Sequence, residues 1–347
     1  MTVFALALLG ALATQSEVGF WDYRPVSEST QALTVRYGEW LVPIRDLDND
    51  GFGDLAASSR APGGPGVWLL SGRTGAVLGT VPTALIPSSS VHPRPLDTLD
   101  DVDADGKDEL LMIDSQRQAV VISTASGAVL RVLASSAFSV CSVTDMDQDG
   151  CRDAIVISSS SNRAYSGRTG VLIRTFGAPF DAGVDFGEYL DDAGDANGDG
   201  TGDFVIGARR RGRPVLYNGR TGAILARLPR EEAAVAGVGD WDGDGRDDVA
   251  CGGGMVEVYS SASGALLYQN YLDSDRLTGL RDADGDGAEE LFCGDSIAAV
   301  VVGSKARRLM HQRHGEAFEY LGASGCFVDD RNGDNHPEFA VGAGLAQ

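Results

Sequence analysis

A seven-bladed all-β propeller of four-stranded antiparallel blades is the fold that three features of this 347-residue sequence predict. A nine-residue acidic loop recurs seven times. Each loop is followed by a short apolar run, and most repeats then carry a second hairpin around a glycine-bearing turn. Four short strands per repeat make one propeller blade.

The loops begin at Asp46, Asp101, Asp145, Asp195, Asp240, Asp282 and Asp330, 42 to 55 residues apart. The runs that follow them are Leu55-Ala-Ala, Leu110-Leu-Met-Ile, Ala154-Ile-Val-Ile, Phe204-Val-Ile, Val249-Ala-Cys, Leu291-Phe-Cys and Phe339-Ala-Val. They are too short for helices and rich in β-formers. Apolar or alternating stretches, such as Trp40-Leu-Val-Pro-Ile, precede the loops. The second hairpin turns at Ser71-Gly-Arg-Thr-Gly75, Ser166-Gly-Arg-Thr-Gly170 and Asn218-Gly-Arg-Thr-Gly222, with weaker forms at Ser123–Gly127 and Ser260–Gly264.

The seventh repeat stops too soon to supply four strands. Residues 17–36, through Gly19–Tyr23 and Gln31–Val35, are expected to complete it and so remove the open sheet edges. Residues 1–15 read as a signal peptide, with Val3–Ala13 as its apolar stretch and Ala11-x-Ala13 as a cleavage site, although the first residues lack Lys and Arg. The same run can also serve as a strand. Residues 16–347 would then form one domain, monomeric and without a transmembrane anchor.

Each loop follows the pattern D-x-[DN]-x-D-[GN]-x-x-[DE]. Acids at positions one, three and five point inward from a tightly curled backbone. Glycine at position six permits a positive φ. Position seven offers a backbone carbonyl, and position nine a carboxylate that can grip with both oxygens. Six or so hard oxygen ligands are what Ca²⁺ prefers. The expected ligand sets are Asp46, Asp48, Asp50, Phe52 and Asp54; Asp101, Asp103, Asp105, Lys107 and Glu109; Asp145, Asp147, Asp149, Cys151 and Asp153; and Asp195, Asn197, Asp199, Thr201 and Asp203. They continue with Asp240, Asp242, Asp244, Arg246 and Asp248; Asp282, Asp284, Asp286, Ala288 and Glu290; and Asp330, Asn332, Asp334, His336 and Glu338. Up to seven Ca²⁺ ions are thus expected. The seventh site, with Asn335 in place of glycine and one carboxylate fewer, is expected among the weakest. An EF-hand needs Glu at position twelve and flanking helices. Here position twelve is Ala57, Met112, Val156, Ile206, Cys251, Cys293 or Val341.

Charge agrees with cation binding. The net charge is −22, and the seven loops hold over half of the 50 acidic residues. Such a surface repels nucleic acid. The five cysteines include no C-x-x-C pair, which leaves neither a zinc site nor a dense disulfide framework and suits small buried thiols. His311-x-x-His314 lacks the Glu of a zinc protease motif, and neither G-x-S-x-G nor a phosphate-binding loop occurs. No catalytic residues are assigned.

On these loops the chain resembles the FG-GAP (integrin α-type) and VCBS repeats over about residues 30–347. Phe186-Gly187, Gly207-Ala208 and Gly342-Ala343 are remnants of the dipeptides that name the former. The resemblance implies a calcium-binding recognition or adhesion module, secreted or at the cell surface, with a protein or glycan ligand. A non-catalytic envelope scaffold and a polysaccharide-active enzyme such as a lyase are the alternatives. In a four-stranded antiparallel blade the acidic loops share a face with the Ser-Gly-Arg-Thr-Gly turns. The opposite face carries loops that differ in length and chemistry, where binding residues concentrate. Its candidates are Phe180, Tyr189, Arg209, Arg210, Arg211 and Arg213.

Overall fold

The computed structural model describes residues 7–9, 20–22, 37–59, 66–81, 96–158, 161–178, 185–209, 212–231, 233–280, 282, 288–295, 298–304, 308–314, 321–329 and 338–343. Among the described residues every helix or strand named is a β-strand, and no helix is long and apolar enough to cross a membrane. The architecture is propeller-like.

Blade one shows the pattern. Tyr37–Ile44, Asp54–Ser59, Val67–Leu70 and Val77–Val81 lie side by side in chain order, each antiparallel to the next. Five more blades repeat it over residues 96–134, 137–176, 186–227, 234–270 and 276–314. Within each blade the acidic loop joins the first strand to the second, and the tight turn joins the third to the fourth. First strands pack on the first strands of neighbouring blades, so they line the centre. Fourth strands face solvent, which is why Val77, Val129, Leu172, Ile224 and Leu266 are exposed.

One further four-stranded sheet combines the two ends of the chain. Its inner strands are Leu321–Val328 and Glu338–Ala343. Ala7–Leu9 pairs with Glu338–Ala343, and Phe20–Asp22 pairs with Ala7–Leu9. The strand at Phe20–Asp22 falls within the segment expected to close this sheet. Its partner does not: Ala7–Leu9 lies in the stretch read as a signal peptide, while residues 31–35 lie outside the described residues. A short apolar run fits a leader and a buried strand equally well, and composition alone does not separate them. The first strand of this sheet contacts the first strands of blades one and six.

The core lies between blades rather than in one place. Cys141, Ile155, Ile157 and Phe176 of blade three pack on Leu190, Phe204, Ile206 and Tyr217 of blade four. Phe204 and Tyr217 stack with centroids 5.2 Å apart, and Phe176 meets Phe204 edge-on at 4.7 Å. Comparable clusters join blades one and two, two and three, four and five, and five and six. Cys326 and Ala340 of the terminal sheet pack with Leu41, Leu55 and Leu70 of blade one. None of the five cysteines forms a disulfide, and all five are buried.

Removing residues 1–22 strips two strands from the terminal sheet and leaves the edge of Glu338–Ala343 unpaired. Open edges invite association. The truncated protein is expected to melt several degrees lower and to self-associate in light scattering. An unchanged midpoint in a monomeric truncation would contradict this closure.

Candidate metal centre

The acidic loops curl around their own carboxylates. At position one, Oδ1 accepts the N–H of position five, at 3.0 Å for Asp46 and Asp50, and Oδ2 accepts the glycine N–H at 2.7 Å from Gly51. The same pair of bonds recurs at Asp101, Asp145, Asp195 and Asp240. Position-five carboxylates accept the N–H of Phe52, Lys107, Cys151, Thr201 and Arg246 at position seven. The glycines at position six have φ of 80° to 91°. Position four is also left-handed, occupied by Asn49, Ala104, Gln148, Gly198 and Gly243 with φ between 61° and 79°. The sequence reading missed this second positive φ. Asn and Gly at position four were its signal, and Ala104 and Gln148 hid it.

Position nine is the structural anchor. Glu109, Asp153, Asp203, Asp248 and Glu290 are 0% exposed and Asp54 is 1% exposed. Asp54 Oδ2 accepts the N–H of Leu47 at 2.6 Å, and its Oδ1 accepts that of Gly72, in the tight turn, at 2.9 Å. Asp153 does the same with Met146 and Gly167, and Asp248 with Trp241 and Ser261. One carboxylate therefore ties the start of the loop to the turn beyond the third strand, which puts loops and turns on one face.

This docking explains the second residue of each turn. A Cβ on Gly72, Gly167 or Gly219 would fall 1.8–1.9 Å from the carbonyl oxygen of Gly53, Arg152 or Gly202 at position eight. Blades two and five carry hydroxyl residues there instead. Thr124 Oγ1 donates to the carbonyl of Asp108 at 2.5 Å, and Ser261 Oγ to that of Asp247 at 2.5 Å. The sequence marked these residues only as hairpin turns.

Four of the predicted sets bring their acids together. Oxygens of Asp101, Asp103, Asp105 and Glu109 lie within 4.8 Å of one another, as do those of Asp46, Asp48 and Asp50; Asp145, Asp147 and Asp153; and Asp240, Asp242 and Asp248. Asp54, Asp149 and Asp244 are not part of these groups; Asp149 instead accepts the Ser166 hydroxyl at 3.1 Å and has Arg168 at 3.8 Å. Loop four differs. Its Asn197 amide donates to Asp203 Oδ2 at 2.8 Å, and Asn218 donates to Asp199 at 2.7 Å. In loop six, Asp282 and Ala288 are described beside the buried Glu290, while Asp284 and Asp286 lie outside the described residues. So do Asp330, Asn332, Asp334 and His336; Glu338 opens its strand.

The donor set fits a hard cation. Every side-chain donor in the four clusters is a carboxylate oxygen. Glu109 Oε2 accepts the N–H of Val102 at 2.6 Å, but its buried Oε1 has no hydrogen-bond partner among the described residues. A buried, unpaired carboxylate oxygen among three other acids costs stability unless something positive meets it. Burial, reinforced by the neighbouring aspartates, pushes Glu109, Asp153, Asp203 and Asp248 up to about 7.

Cations also stitch neighbouring loops together. Lys107, at position seven of loop two, donates from Nζ to the Asp46 carbonyl at 2.6 Å and to Asn49 Oδ1 at 2.9 Å. Arg45 of blade one binds Asp100 at 3.1 Å and Asp108 at 2.9 Å. Arg152 of blade three reaches Asp192 of blade four at 3.5 Å, and Asp247 of blade five accepts the N–H of Asp195 at 2.7 Å. Asp329 of the terminal sheet accepts the N–H of Gly53. These acids beside the motif were not singled out in the sequence; for Asp100, Asp108, Asp247 and Asp329 adjacency to position one or to position nine was the available signal, and Asp192 had none.

On the opposite face, Arg209 pairs with Glu188 at 3.2 Å and Arg213 with Glu231 at 3.7 Å. Tyr189 is half-buried, against the clusters of blades four to six. Phe180, Arg210 and Arg211 lie outside the described residues.

No family model matches the chain, and no curated protein matches it. Solved structures do. The chain is similar to the V. cholerae biofilm matrix protein Bap1, at 13% identity and a TM-score of 0.53, covering 87% of this chain and 76% of that one. At that identity the likeness shows the fold alone. A complex of BBS1N with ARL6DN, soaked with lead, matches at 14% identity over 75% of this chain and 94% of that one, with a TM-score of 0.41 that carries no argument.

Two outcomes follow from this geometry. Gly167→Ala drives a methyl into the Arg152 carbonyl and is expected to cost about 2 kcal/mol in denaturant unfolding, as overpacking does; an unaffected Gly167→Ala protein would show the turn is not docked. The raised carboxyls give the metal-free protein an unusual pH profile. Between the ordinary carboxyl range and about 7 the folded chain keeps protons that the unfolded chain has lost, so stability falls as pH rises. In EDTA the melting midpoint is expected to be higher at pH 5 than at pH 7.5. The opposite slope would refute the burial argument.

Proposed function

We propose that this chain is a seven-bladed, calcium-binding propeller of the FG-GAP/VCBS type, secreted or displayed at the cell surface as a non-catalytic recognition or adhesion module for a protein or glycan. The observation that carries the metal reading is the group formed by Asp101, Asp103, Asp105 and Glu109, whose buried Glu109 Oε1 has no hydrogen-bond partner among the described residues. Near-repeats of that group occur in loops one, three and five. An all-oxygen set on a flexible loop suits Ca²⁺ better than Mg²⁺, which demands stricter octahedral geometry. The bound ion would neutralise buried like charges, and the loop residues would hold it; its role is structural.

The recognition role draws on the fold it shares with a biofilm matrix protein. It also draws on the division of labour between faces. Loops and turns on one face are engaged with each other, which leaves the face of Tyr189, Arg209 and Arg213 to vary. A purely architectural role in a matrix or envelope is the second reading, favoured by the same neighbour.

Millimolar Ca²⁺ should raise the melting midpoint markedly over EDTA, because a ligand bound only by the native state stabilises it by mass action. Calorimetric titration should resolve more than one class of site, with loop four weak because Asn197 and Asn218 already bond its carboxylates. A midpoint indifferent to Ca²⁺ would remove the metal reading. A glycan array, with turnover measured on acidic polysaccharides, separates recognition from lyase activity.

A further inference from the structure

The centre of the face opposite the acidic loops gathers groups from blades that are not neighbours. Trp40 comes from the first strand of blade one, Glu188 and Tyr189 from that of blade four, and Arg276 from that of blade six. The Arg276 guanidinium lies over the Trp40 ring, 5.2 Å from its centroid. Blades one and six are separated by the terminal sheet, which contacts both. Arg276 therefore reaches Trp40 across the mouth framed by the ring of first strands. Its charge also acts on Tyr189 and Glu188, and that of Arg209 acts on the same two residues.

A local sequence feature builds this mouth. Blade one reads Tyr37-Gly-Glu-Trp-Leu41 and blade four reads Phe186-Gly-Glu-Tyr-Leu190. In both, the first strand carries two residues more than its partner. Tyr37 pairs with Ser59 and Leu41 with Ala57, while Phe186 pairs with Ala208 and Tyr189 with Gly207. Gly187 accommodates the bulge with φ of 92°. Bulges re-aim side chains and are concentrated near functional sites. The terminal sheet has the same bulge, between Leu321 and Ser324, but reads Ala323-Ser324 where the others carry Glu and an aromatic residue.

We propose that this mouth binds the terminal residue of a neutral glycan chain, an inference that rests on the recognition reading above and gives it a site. Tyr189 and the part of Trp40 that Arg276 leaves uncovered offer aromatic surface for the apolar face of a sugar ring. Glu188, Arg209 and Arg276 offer forked donors and acceptors matched to neighbouring hydroxyl pairs. The buried Trp40 Nε1 is a donor with no acceptor among the described residues. Two acids balance the two arginines: Arg209 pairs with Glu188 at 3.2 Å and also feels the charge of Asp275, whose backbone carbonyl accepts from Arg276 at 3.3 Å, so an ionic ligand would leave one charge in excess. The net charge of −22 further disfavours polyanions. First strands surround the mouth on every side, which favours a chain end over the middle of a polymer.

The test uses the full chain in Ca²⁺, with neutral glucan, mannan and galactan hexasaccharides as probes and tryptophan fluorescence as readout. A hexauronate and an arginine-rich peptide serve as competitors. At least one neutral hexasaccharide should bind. Affinity should fall about tenfold in Trp40→Phe and in Glu188→Gln, with melting midpoints unchanged. A long polymer of the same sugar should bind once per chain end, not in proportion to its length. Binding of the uronate or the peptide alone at Trp40 overturns the neutral-sugar assignment. Array binding that neither variant alters leaves the recognition reading standing and removes this site. Silence from the array and from every probe removes both.

Discussion

A buried carboxylate at the end of the acidic loop, present in blades one to six, is the constraint on which the blade depends. A charge at zero exposure is tolerated only when its oxygens are met. In blades one, three and five the meeting groups are backbone N–H donors from two places, the start of the same loop and the turn between the third and fourth strands. That requirement sets the distance between the two hairpins. It also dictates what stands at the second position of the turn: glycine where a carbonyl crowds it, or Ser and Thr where a hydroxyl bonds that carbonyl instead. The group that organises the blade also concentrates negative charge at its edge, so the fold and its need for a counter-charge have one origin.

Neighbouring blades depend on each other by a different logic. Their interiors hold little apolar surface of their own, and the buried clusters sit where one sheet faces the next. On the loop face, Arg45, Lys107 and Arg152 cross those same boundaries to carboxylates and carbonyls. Dispersion and area burial hold the middle of each boundary while charge-assisted bonds hold its rim. In such an array the stability of one unit is inseparable from its neighbours.

Much of this was legible because the repeat writes it many times over. Period, strand positions, the inward acids and the glycine at position six all follow from spacing and residue type, and the buried cysteines follow from their scatter. Other features depended on partners that lie far away in sequence. The left-handed turn at position four is invisible where Ala104 or Gln148 occupies it. Gly72 reads as an ordinary hairpin glycine until the Gly53 carbonyl is seen beside it. Nothing in the motif announces that the Asn197 amide donates to Asp203. Ala7–Leu9 reads as a leader or a strand alike, and no local signal names Glu338–Ala343 as its partner. The aromatic-Gly-Glu-aromatic motif occurs twice, but only the ring brings Trp40 and Tyr189 to one mouth.

The sheet shared by the two chain ends gives the molecule a seam. Six blades are assembled from strands close in sequence, whereas Leu8 and Ala340 meet over more than three hundred residues. Local hairpins form quickly, and long-range pairing is the slow step in β topologies. The entropy of closing so long a loop grows only with the logarithm of its length, so the delay is one of search rather than of final stability. The ring therefore zips blade by blade and is latched last at the seam, which is also where pulling or heating opens it first. Joining the ends and cutting between two other blades would relocate that latch without altering the interfaces it secures.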